Sequence, residues 1–491
     1  MKLTKSLLLA SAAGLAAVAT ASAADLPSKK AAPVEYVKVC PTYGPGFFYI
    51  PGSDTCLKIG GNAHFEYMWI QPYTKSQDTQ GTRSQGQITF DARNSSEYGL
   101  LRSFVSLGLA KRNGAEQSGS QEREGNATTN SNQLATSKQT FFNYQAYVQL
   151  GGFTAGRTAS FAQAKWGFND LVGAAGYDAR DFVSTIAYTA SLGNGISITG
   201  ALEDGAESSR DGIFAATGAG AGAYSYYKLY SLNGGQSIAG VNKIPSINYG
   251  GDRIPDAVLS LDVDQAWGSA HLAASSHAIN YGNVWTQNAQ TLGTNAAYVA
   301  NTNATDFGYS VQGALKIKLD MIAAGDNIAV NGAYGKGFNS AVLRNVIGDR
   351  NGGDVSGIYG YNAGYNAAGT INDAVVNVAT GQSYLATSYG AAGEFTHYFT
   401  PTVALFAGAG YAKLDYSAAA QAAGGAANVN PTAWTTAWVG AIWTPVKGFK
   451  VVPEAFYVTQ TSKTAYAPSV AEPATKTNDS WQGRLRVTRD F

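Results

Sequence analysis

The feature that most constrains this chain is a two-residue alternation of side-chain character that recurs in many short segments. In the segment that begins at Leu57, a mainly apolar set of residues is interleaved with a mainly polar set. The apolar set contains Leu57, Ile59, Gly61, Ala63, Phe65, Tyr67 and Trp69, and the interleaved set contains Lys58, Gly60, Asn62, His64, Glu66 and Met68. Successive side chains of a β-strand point to opposite faces of a sheet. The segment is therefore predicted to be a strand with one apolar and one water-facing side.

Candidate strands of this kind occur along the whole chain. A tilted strand needs about 9 to 11 residues to cross a bilayer, and most of the candidates reach that length. The first eight are 56–70, 86–94, 98–111, 139–151, 153–158, 183–190, 195–203 and 257–266. The second eight are 268–278, 306–318, 327–336, 384–397, 402–416, 433–444, 449–461 and 479–491. Because 153–158 and 183–190 are short, a strand count lower by two stays open.

The connections between these candidates alternate regularly between short and long. Short links include 151–152, 399–401 and 445–448, and long ones include 204–256, 279–305 and 337–383. Outer-membrane barrels have short periplasmic turns and long extracellular loops, whereas a soluble sandwich has no reason to keep this rule. No later segment offers about 18 consecutive apolar residues, which excludes membrane-spanning helices. The predicted fold class is all-β, a transmembrane antiparallel up-and-down β-barrel of about 16 strands.

The composition of the chain agrees with this fold class. There are 58 Gly, 29 Tyr, 20 Phe and 8 Trp, while only 14% of the residues are charged. Such a composition suits many turns and many aromatic strand positions. The formal net charge of +1, without a dense Lys/Arg stripe, gives no argument for a nucleic-acid partner.

The first 23 residues read as a secretory signal peptide. Two lysines precede an apolar stretch from Leu7 to Val18, and Ala21-Ser22-Ala23 forms a small-residue cleavage site. The mature chain is therefore expected to start at Ala24. Export through the periplasm and localisation in the bacterial outer membrane follow as expectations.

Residues 24–55 are predicted to form an N-terminal periplasmic segment that precedes the barrel at 56–491. The two cysteines, Cys40 and Cys56, lie at this end of the chain. In an oxidising compartment a disulfide between them is the natural prediction, and a loop of this size gains about 3 kcal/mol in the chain-entropy model. Two unpaired buried thiols are the alternative.

The other chemically active residue types give no signal of catalysis. The four histidines are scattered over distant strands without zinc-ligand spacing, so neither a metal nor a cofactor is expected. Asp262 and Asp264 could form a catalytic pair, but their place on an alternating strand favours two lumen-facing acids. Aromatic residues near strand ends are interpreted as an interfacial girdle rather than a sugar-stacking ladder. They are Tyr67, Trp69, Tyr398, Phe399, Trp434, Trp438 and Trp443.

The last candidate strand is predicted to close the barrel. It alternates as clearly as the first, and pairing between the two would remove both sheet edges, as hydrocarbon requires. The same alternation places several arginines of this and other strands on the lumen side. They are Arg93, Arg102, Arg484 and Arg486.

Three motifs of the chain resemble the porins of alphaproteobacteria. They are Ala24-Asp25-Leu26-Pro27, the segment from Gly46 to Gly61, and the terminal Arg489-Asp490-Phe491. The resemblance implies a homotrimer in which the third long loop of each barrel folds into the lumen. It also implies contact with outer-membrane lipid and lipopolysaccharide, and a C-terminal signal at Phe491 for the barrel-assembly machinery. A peptidoglycan tether through Ala24 and Asp25 is a further implication.

The constriction loop implied by this resemblance covers about 158–182. Its three acids would face a wall of arginines, which the resemblance extends to Arg157. The acids are Asp170, Asp178 and Asp181, and the arginines are Arg93, Arg102, Arg157, Arg484 and Arg486. An acidic loop opposite a basic wall would create a transverse field that orients polar solutes. Two points stay open, because Asp178 and Asp181 could merely pair within the loop, and Lys165 and Arg180 make the loop less than purely acidic.

The expected function is passive diffusion of small hydrophilic solutes and ions through a water-filled channel, without enzymatic activity. A substrate-specific channel is one alternative, but it would need an aromatic track along the lumen, and no continuous track stands out. A barrel adhesin or enzyme with active loops is the other alternative. Solute flux without hydrolytic activity would separate these classes.

Overall fold

The computed structural model describes residues 38–71, 79–114, 137–169, 182–205, 213–216, 224–226, 245–249, 253–287, 296–300, 304–347, 373–377, 382–424, 431–463 and 475–491. The chain divides into two compact units, Met1–Leu57 and Lys58–Phe491. The predicted signal peptide lies outside the described residues, as do Ala24 and Asp25.

The N-terminal unit contains the predicted disulfide. Cys40 and Cys56 are bonded, with their Cα atoms 6.0 Å apart. Both are buried together with Phe47, against the rings of Tyr43 and Tyr49. Among its described residues, 38–57, the unit also contains a 3-10 turn at Pro41–Tyr43 and a two-residue strand at Phe48–Tyr49. The alternative of two unpaired thiols is wrong.

The second unit is a closed antiparallel barrel of sixteen strands, which confirms the predicted fold class. Strands β1 to β8 are Cys56–Ile70, Gln80–Ser96, Gly99–Gly114, Ser137–Leu150, Phe153–Ala159, Phe182–Gly193, Ile196–Glu203 and Asp256–Gln265. Strands β9 to β16 are Gly268–Gln287, Ala304–Lys318, Asn327–Lys336, Thr387–Thr400, Val403–Asp415, Thr432–Val446, Phe449–Lys463 and Thr475–Asp490. The short candidates 153–158 and 183–190 correspond to β5 and β6, so both belong to the barrel.

The barrel closes by pairing its last strand with its first. The ladder between β16 and β1 runs from Asn62 opposite Asp490 to Ile70 opposite Gln482. Each of the remaining barrel strands pairs with the strand that follows it along the chain. Links after even-numbered strands are short and links after odd-numbered strands are long, as the sequence predicts. Odd-numbered strands therefore end at the side of the long loops.

The two faces of the sheet differ as the alternation predicts. On β1, Phe65, Tyr67 and Trp69 are exposed on the outer face, whereas Glu66 and Met68 are fully buried on the lumen side. Apolar side chains on the outside are what a strand surrounded by hydrocarbon requires.

A β-bulge in β4 reverses the predicted side of one residue. The β3–β4 register shifts between Ser106 and Leu107, at the position of Tyr144. Strict alternation along 143–150 would place Tyr144 on the lipid-facing side with Ala146, Val148 and Leu150. Its hydroxyl instead accepts a hydrogen bond of 2.8 Å from the lumen-side Gln85. An extra residue in one strand shifts all side chains beyond it by one position.

The long loops contribute further secondary structure. Helix α1 is Ser340–Ile347, between β11 and β12, and helix α2 is Ala418–Gly424, between β13 and β14. A small sheet joins Ile213–Ala216 and Tyr224–Tyr226 of one loop to Ala374–Asn377 and Ser383–Leu385 of another. None of the helices within the described residues is long and apolar enough to cross a membrane.

Candidate functional site

The third long loop leaves β5 and turns into the barrel. The Ser160 hydroxyl donates a hydrogen bond of 2.8 Å to Glu203, and the backbone N–H of Phe161 donates one of 2.7 Å to the same carboxylate. Glu203 is fully buried at the end of β7, so these donors compensate the loss of water around its charge. The first turn of the loop is thereby held against the wall.

The next residues of the loop follow the wall to β8 and β9. His271 Nδ1 lies 2.9 Å from Asp262 Oδ1, and His271 Nε2 lies 3.1 Å from the carbonyl oxygen of Ala162. The imidazole ring therefore connects Ala162 of the loop to Asp262 of β8. Lys165 Nζ lies 3.5 Å from Asp262 as well.

The described part of the loop ends on a different group of strands. The backbone and side chain of Asn169 each donate a hydrogen bond of 2.9 Å to Glu394 of β12. The side chain also donates to Thr396 at 2.8 Å, and the indole N–H of Trp438 donates to Glu394 at 2.9 Å. The loop therefore crosses the lumen side of the barrel from β5 to β12, which confirms its predicted inward fold.

The lumen side of β13–β15 carries a buried apolar cluster. Phe168 packs on Trp438, with ring centroids 5.7 Å apart, and Trp166 lies at the edge of the cluster. The residues of this cluster on β13–β15 are Phe406, Ala412, Leu414, Trp434, Trp438, Val452, Phe456 and Val458. Trp434 and Trp438 thus line the lumen side, and their assignment to an interfacial girdle was wrong. Apolar residues occupy this wall because folded loop covers it.

The loop between β11 and β12 also folds inward, which the sequence did not predict. Val342 and Leu343 of helix α1 are fully buried in the same apolar cluster. Nearby, His277 Nδ1 lies 2.8 Å from Asp256, and the His277 ring stacks on Phe338 at 4.6 Å. Two loops therefore cover the side of the barrel from β7 to β15.

The opposite side of the barrel contains the predicted arginines of β2 and β3. Arg93 and Arg102 both bind the carboxylate of Asp91, through contacts of 2.6 to 3.0 Å. The Arg102 guanidinium also lies over the rings of Phe104 and Tyr147, at 5.0 and 5.5 Å. Paired acceptors and stacking hold these cations in fixed positions on the wall.

A second cluster spans the junction where the barrel closes. Glu66 of β1 is fully buried among Arg83, Arg484 and Arg486. Arg83 Nη1 lies 3.6 Å from Glu66 and Arg484 Nη1 lies 3.8 Å from it, while Arg486 makes a direct hydrogen bond. Arg484 and Arg486 therefore lie on the lumen side, where alternation placed them.

Other expected site residues differ in position or lie outside the described residues. Arg157 is opposite Ala146 and Ser184, in the outward register of β5, and its Nε donates to the carbonyl of Asn143 at 3.1 Å. The expectation that Arg157 shares the lumen wall is therefore corrected. The three acids of the predicted acidic face, Asp170, Asp178 and Asp181, all lie outside the described residues.

The last residue, Phe491, continues the closing ladder. Its N–H donates to the carbonyl of Gly61 at 3.0 Å, and its own oxygen accepts from the N–H of Gly61 at 3.1 Å. Its ring is exposed. Within the described residues there is no group of three or more His, Cys, Asp or Glu that could hold a metal ion.

A closed barrel with an apolar exterior and a loop laid across its polar interior defines the class of outer-membrane channels. Residues 25–484 match the model of the porin subfamily, and the chain belongs to that family. It is an outer-membrane porin, a channel for passive diffusion.

Relatives agree with this membership, and a solved structure shares the fold. Porin Omp2b of Brucella canis is 29% identical over 355 residues, which are 70% of this chain and 87% of the relative. Porin Omp2a of Brucella ovis is 32% identical over 212 residues, which are 41% of this chain and 60% of the relative. The crystal structure of the outer membrane channel DcaP of Acinetobacter baumannii matches 90% of this chain and 99% of its own, with a TM-score of 0.54 and 13% identity. That last likeness concerns the fold alone.

Proposed function

We propose that the chain assembles as a homotrimer of general diffusion channels, and that the loop segment 160–169 sets the narrowest part of each lumen. The observation that carries the proposal is the attachment of this segment at both ends, to Glu203 of β7 and to Glu394 of β12. Because the segment is fixed to two separate strands, the passage beside it keeps a constant width. Membership of the porin family supports the trimer.

General diffusion is favoured over a substrate-specific aromatic track. A track needs rings that a solute can touch, but Phe406, Trp434, Trp438 and Phe456 are buried beneath the loops. The lumen-side groups that retain some exposure are mainly charged and polar, among them Lys165, Arg93 and Arg486. Such a surface admits hydrated solutes without a dedicated binding step. We propose no catalytic role for these residues.

Phe491 has a proposed role before the channel forms. Its backbone pairs with Gly61 while its ring is exposed at the end of the closing strand. An exposed aromatic terminus is a suitable recognition element for the barrel-assembly machinery.

Single-channel recording in a planar bilayer tests the proposed function. Purified, refolded protein should insert and conduct in steps grouped in threes, one for each subunit of a trimer. Native mass spectrometry of the detergent-solubilised protein provides an independent measure of the three-fold assembly. A protein that inserts but carries no current would contradict an open channel, and single ungrouped steps with a monomeric mass would contradict the trimer alone.

A further inference from the structure

We propose that the turn between β10 and β11, residues 319–326, inserts the side chains of Met321 and Ile322 into the periplasmic leaflet of the outer membrane. They would lie at the boundary between phospholipid headgroups and acyl chains. The turn belongs to the outside of the barrel, so this inference depends neither on the proposed trimer nor on the constriction.

This turn is longer than the other links at the periplasmic side. Each of the other six links after even-numbered strands has two residues between the strands, whereas this link has eight. Two residues are enough to reverse a chain between antiparallel neighbours. The additional residues are therefore not needed to connect β10 with β11.

The apolar alternation of β10 continues beyond the end of the strand. The strand ends at Lys318 and has 15 residues, more than the 9 to 11 or so that a tilted strand needs to cross a bilayer. The outward register from Val311 is Val311, Gly313, Leu315, Ile317, Leu319 and Met321, and the interleaved register is Gln312, Ala314, Lys316, Lys318 and Asp320. The lipid-facing pattern thus extends into the turn.

The two apolar side chains of the turn are not packed against the protein. Met321 is 87% exposed, which is the highest value among the large apolar residues that the structure describes, and Ile322 is 59% exposed. Transfer of apolar surface out of water is favourable, and adjacent exposed apolar side chains mark a contact surface. An apolar environment would therefore stabilise this turn.

The lipid-facing surface of the barrel reaches the end of the turn. On the outer face of β12, the ring of His397 stacks on Phe395 at 6.3 Å and lies edge-on to Phe399 at 4.5 Å, and both phenylalanines are exposed. Asp326, the last residue of the turn, lies 2.6 Å from His397 Nδ1. On β11, Ile328 is exposed as well. Phospholipid is therefore the occupant that continues an interface the barrel already has.

The backbone of the turn is suited to an environment with little water. The N–H of Ile322 donates to the carbonyl of Leu319 at 2.8 Å, that of Asp326 donates to Ala323 at 3.0 Å, and that of Leu319 donates to Asp326 at 2.8 Å. Backbone groups without partners would be costly near hydrocarbon. Asp320 belongs to the interleaved register, and a charge near the membrane interface costs little.

Spin labelling of the refolded protein in phosphatidylcholine vesicles tests the insertion. The only two cysteines of the sequence are bonded to each other, so Met321→Cys provides a single thiol for a nitroxide label. Electron paramagnetic resonance then measures collisions of the label with oxygen, which concentrates in lipid, and with a nickel chelate, which stays in water. The ratio of oxygen to nickel-chelate accessibility should be several times higher at Met321→Cys than at a water-exposed turn.

Lys447→Cys is the matched control, because Lys447 is an exposed, charged residue of the two-residue turn between β14 and β15. Equal ratios at the two positions would overturn the insertion. A label that is shielded from both reagents would also overturn it, since protein, such as a second copy of the chain, would then cover the turn. If Met321→Cys does not fold, Ile322→Cys should give the same high ratio. Current through the labelled protein tests the proposed channel separately, and its absence alongside a lipid-embedded label would contradict the channel alone.

Discussion

Four buried carboxylates of the lumen are bound by donors of different kinds on the two sides of the ring. On the loop side, Glu203 and Glu394 are bound by backbone N–H, hydroxyl, amide and indole groups. On the open side, Glu66 and Asp91 are bound by guanidinium groups. Neutral donors hold the loop in place without adding charge, whereas arginines add charged donors to the wall. Neutral donors therefore anchor the loop, and guanidinium donors contribute to the electrostatic potential of the opposite wall.

The turn before β11 contains a carboxylate, Asp326, whose effect on the stability of the barrel in acid can be tested. Asp326 ends the turn before β11 and accepts hydrogen bonds of 2.7 Å from the Tyr398 N–H and 2.6 Å from His397 Nδ1. Burial raises the pKa of Asp326, but these hydrogen bonds outweigh it and lower the pKa below its ordinary value. The ionised form is thus favoured in the folded barrel.

The sign of the pH dependence follows from this lowered pKa. The stabilising contribution of Asp326 is complete above the ordinary aspartate pKa of about 3.9 and is lost as the pH falls through the lower folded value. Thermal unfolding from pH 2 to pH 6, measured by the gel mobility of folded and unfolded barrel, should show this acid loss in the wild type and a smaller one in Asp326→Asn. Asp320→Asn, in the same turn, should behave as the wild type. Equal acid profiles for wild type and Asp326→Asn would contradict the role of the carboxylate.

Alternation placed most lumen residues correctly, and its failures have local physical causes. The strand register is uninterrupted around four arginines, so the two-residue period predicts their side of the sheet correctly. They are Arg93, Arg102, Arg484 and Arg486, all on the lumen side. Tyr144 was misplaced because a bulge adds one residue to its strand. A bulge has no distinct sequence pattern here, so only the paired strand reveals it.

At the scale of elements, the strands could be predicted and the loop contacts could not. Strand positions follow from local alternation and turn residues, which each segment carries in its own sequence. The attachment of Asn169 to Glu394 joins residues 225 positions apart, and no local pattern encodes it. The lumen-side position of Trp434 and Trp438 could not be predicted from local sequence either. Alternate residues of their strand show little polarity contrast, because both of its faces contact apolar groups.

The packing of Phe168 on Trp438 predicts how firmly the constriction loop is held. Phe168→Ala would remove a buried ring at the end of the segment, and deleting such a ring costs about 3–5 kcal/mol in a packed core. We expect the loop to lose its fixed position, so that single-channel current becomes larger or noisier. The measurement is conductance and open-channel noise in a planar bilayer.

Phe399→Ala serves as the control for this loop variant, because Phe399 is exposed near a periplasmic turn and makes no contact with the loop segment in the described residues. Its current should match the wild type. A Phe168→Ala channel with unaltered conductance and noise would show that the hydrogen bonds of Asn169 suffice to hold the loop.

For the whole molecule, the decisive contact is the one that joins the two ends of the sheet. The ladder from Asn62 to Ile70 against β16 supplies the backbone hydrogen bonds that hydrocarbon demands of a closed barrel. Glu66 lies within this ladder and gathers Arg83 from β2 together with Arg484 and Arg486 from β16. One carboxylate thus connects three consecutive strands across the closure.

Removing that carboxylate should weaken the closed barrel. Glu66→Gln keeps the side-chain size but leaves three arginines without their shared acid, and breaking a buried ionic cluster in this way costs up to about 3 kcal/mol, with Arg486 partly screened by water. The midpoint of guanidinium unfolding in detergent should fall, whereas Glu97→Gln, in an exposed turn, should leave it unchanged. The double variant Glu66→Gln/Arg484→Gln should recover part of the loss, because one of the repelling charges is gone. An unchanged midpoint for Glu66→Gln would mean that the backbone ladder alone determines closure.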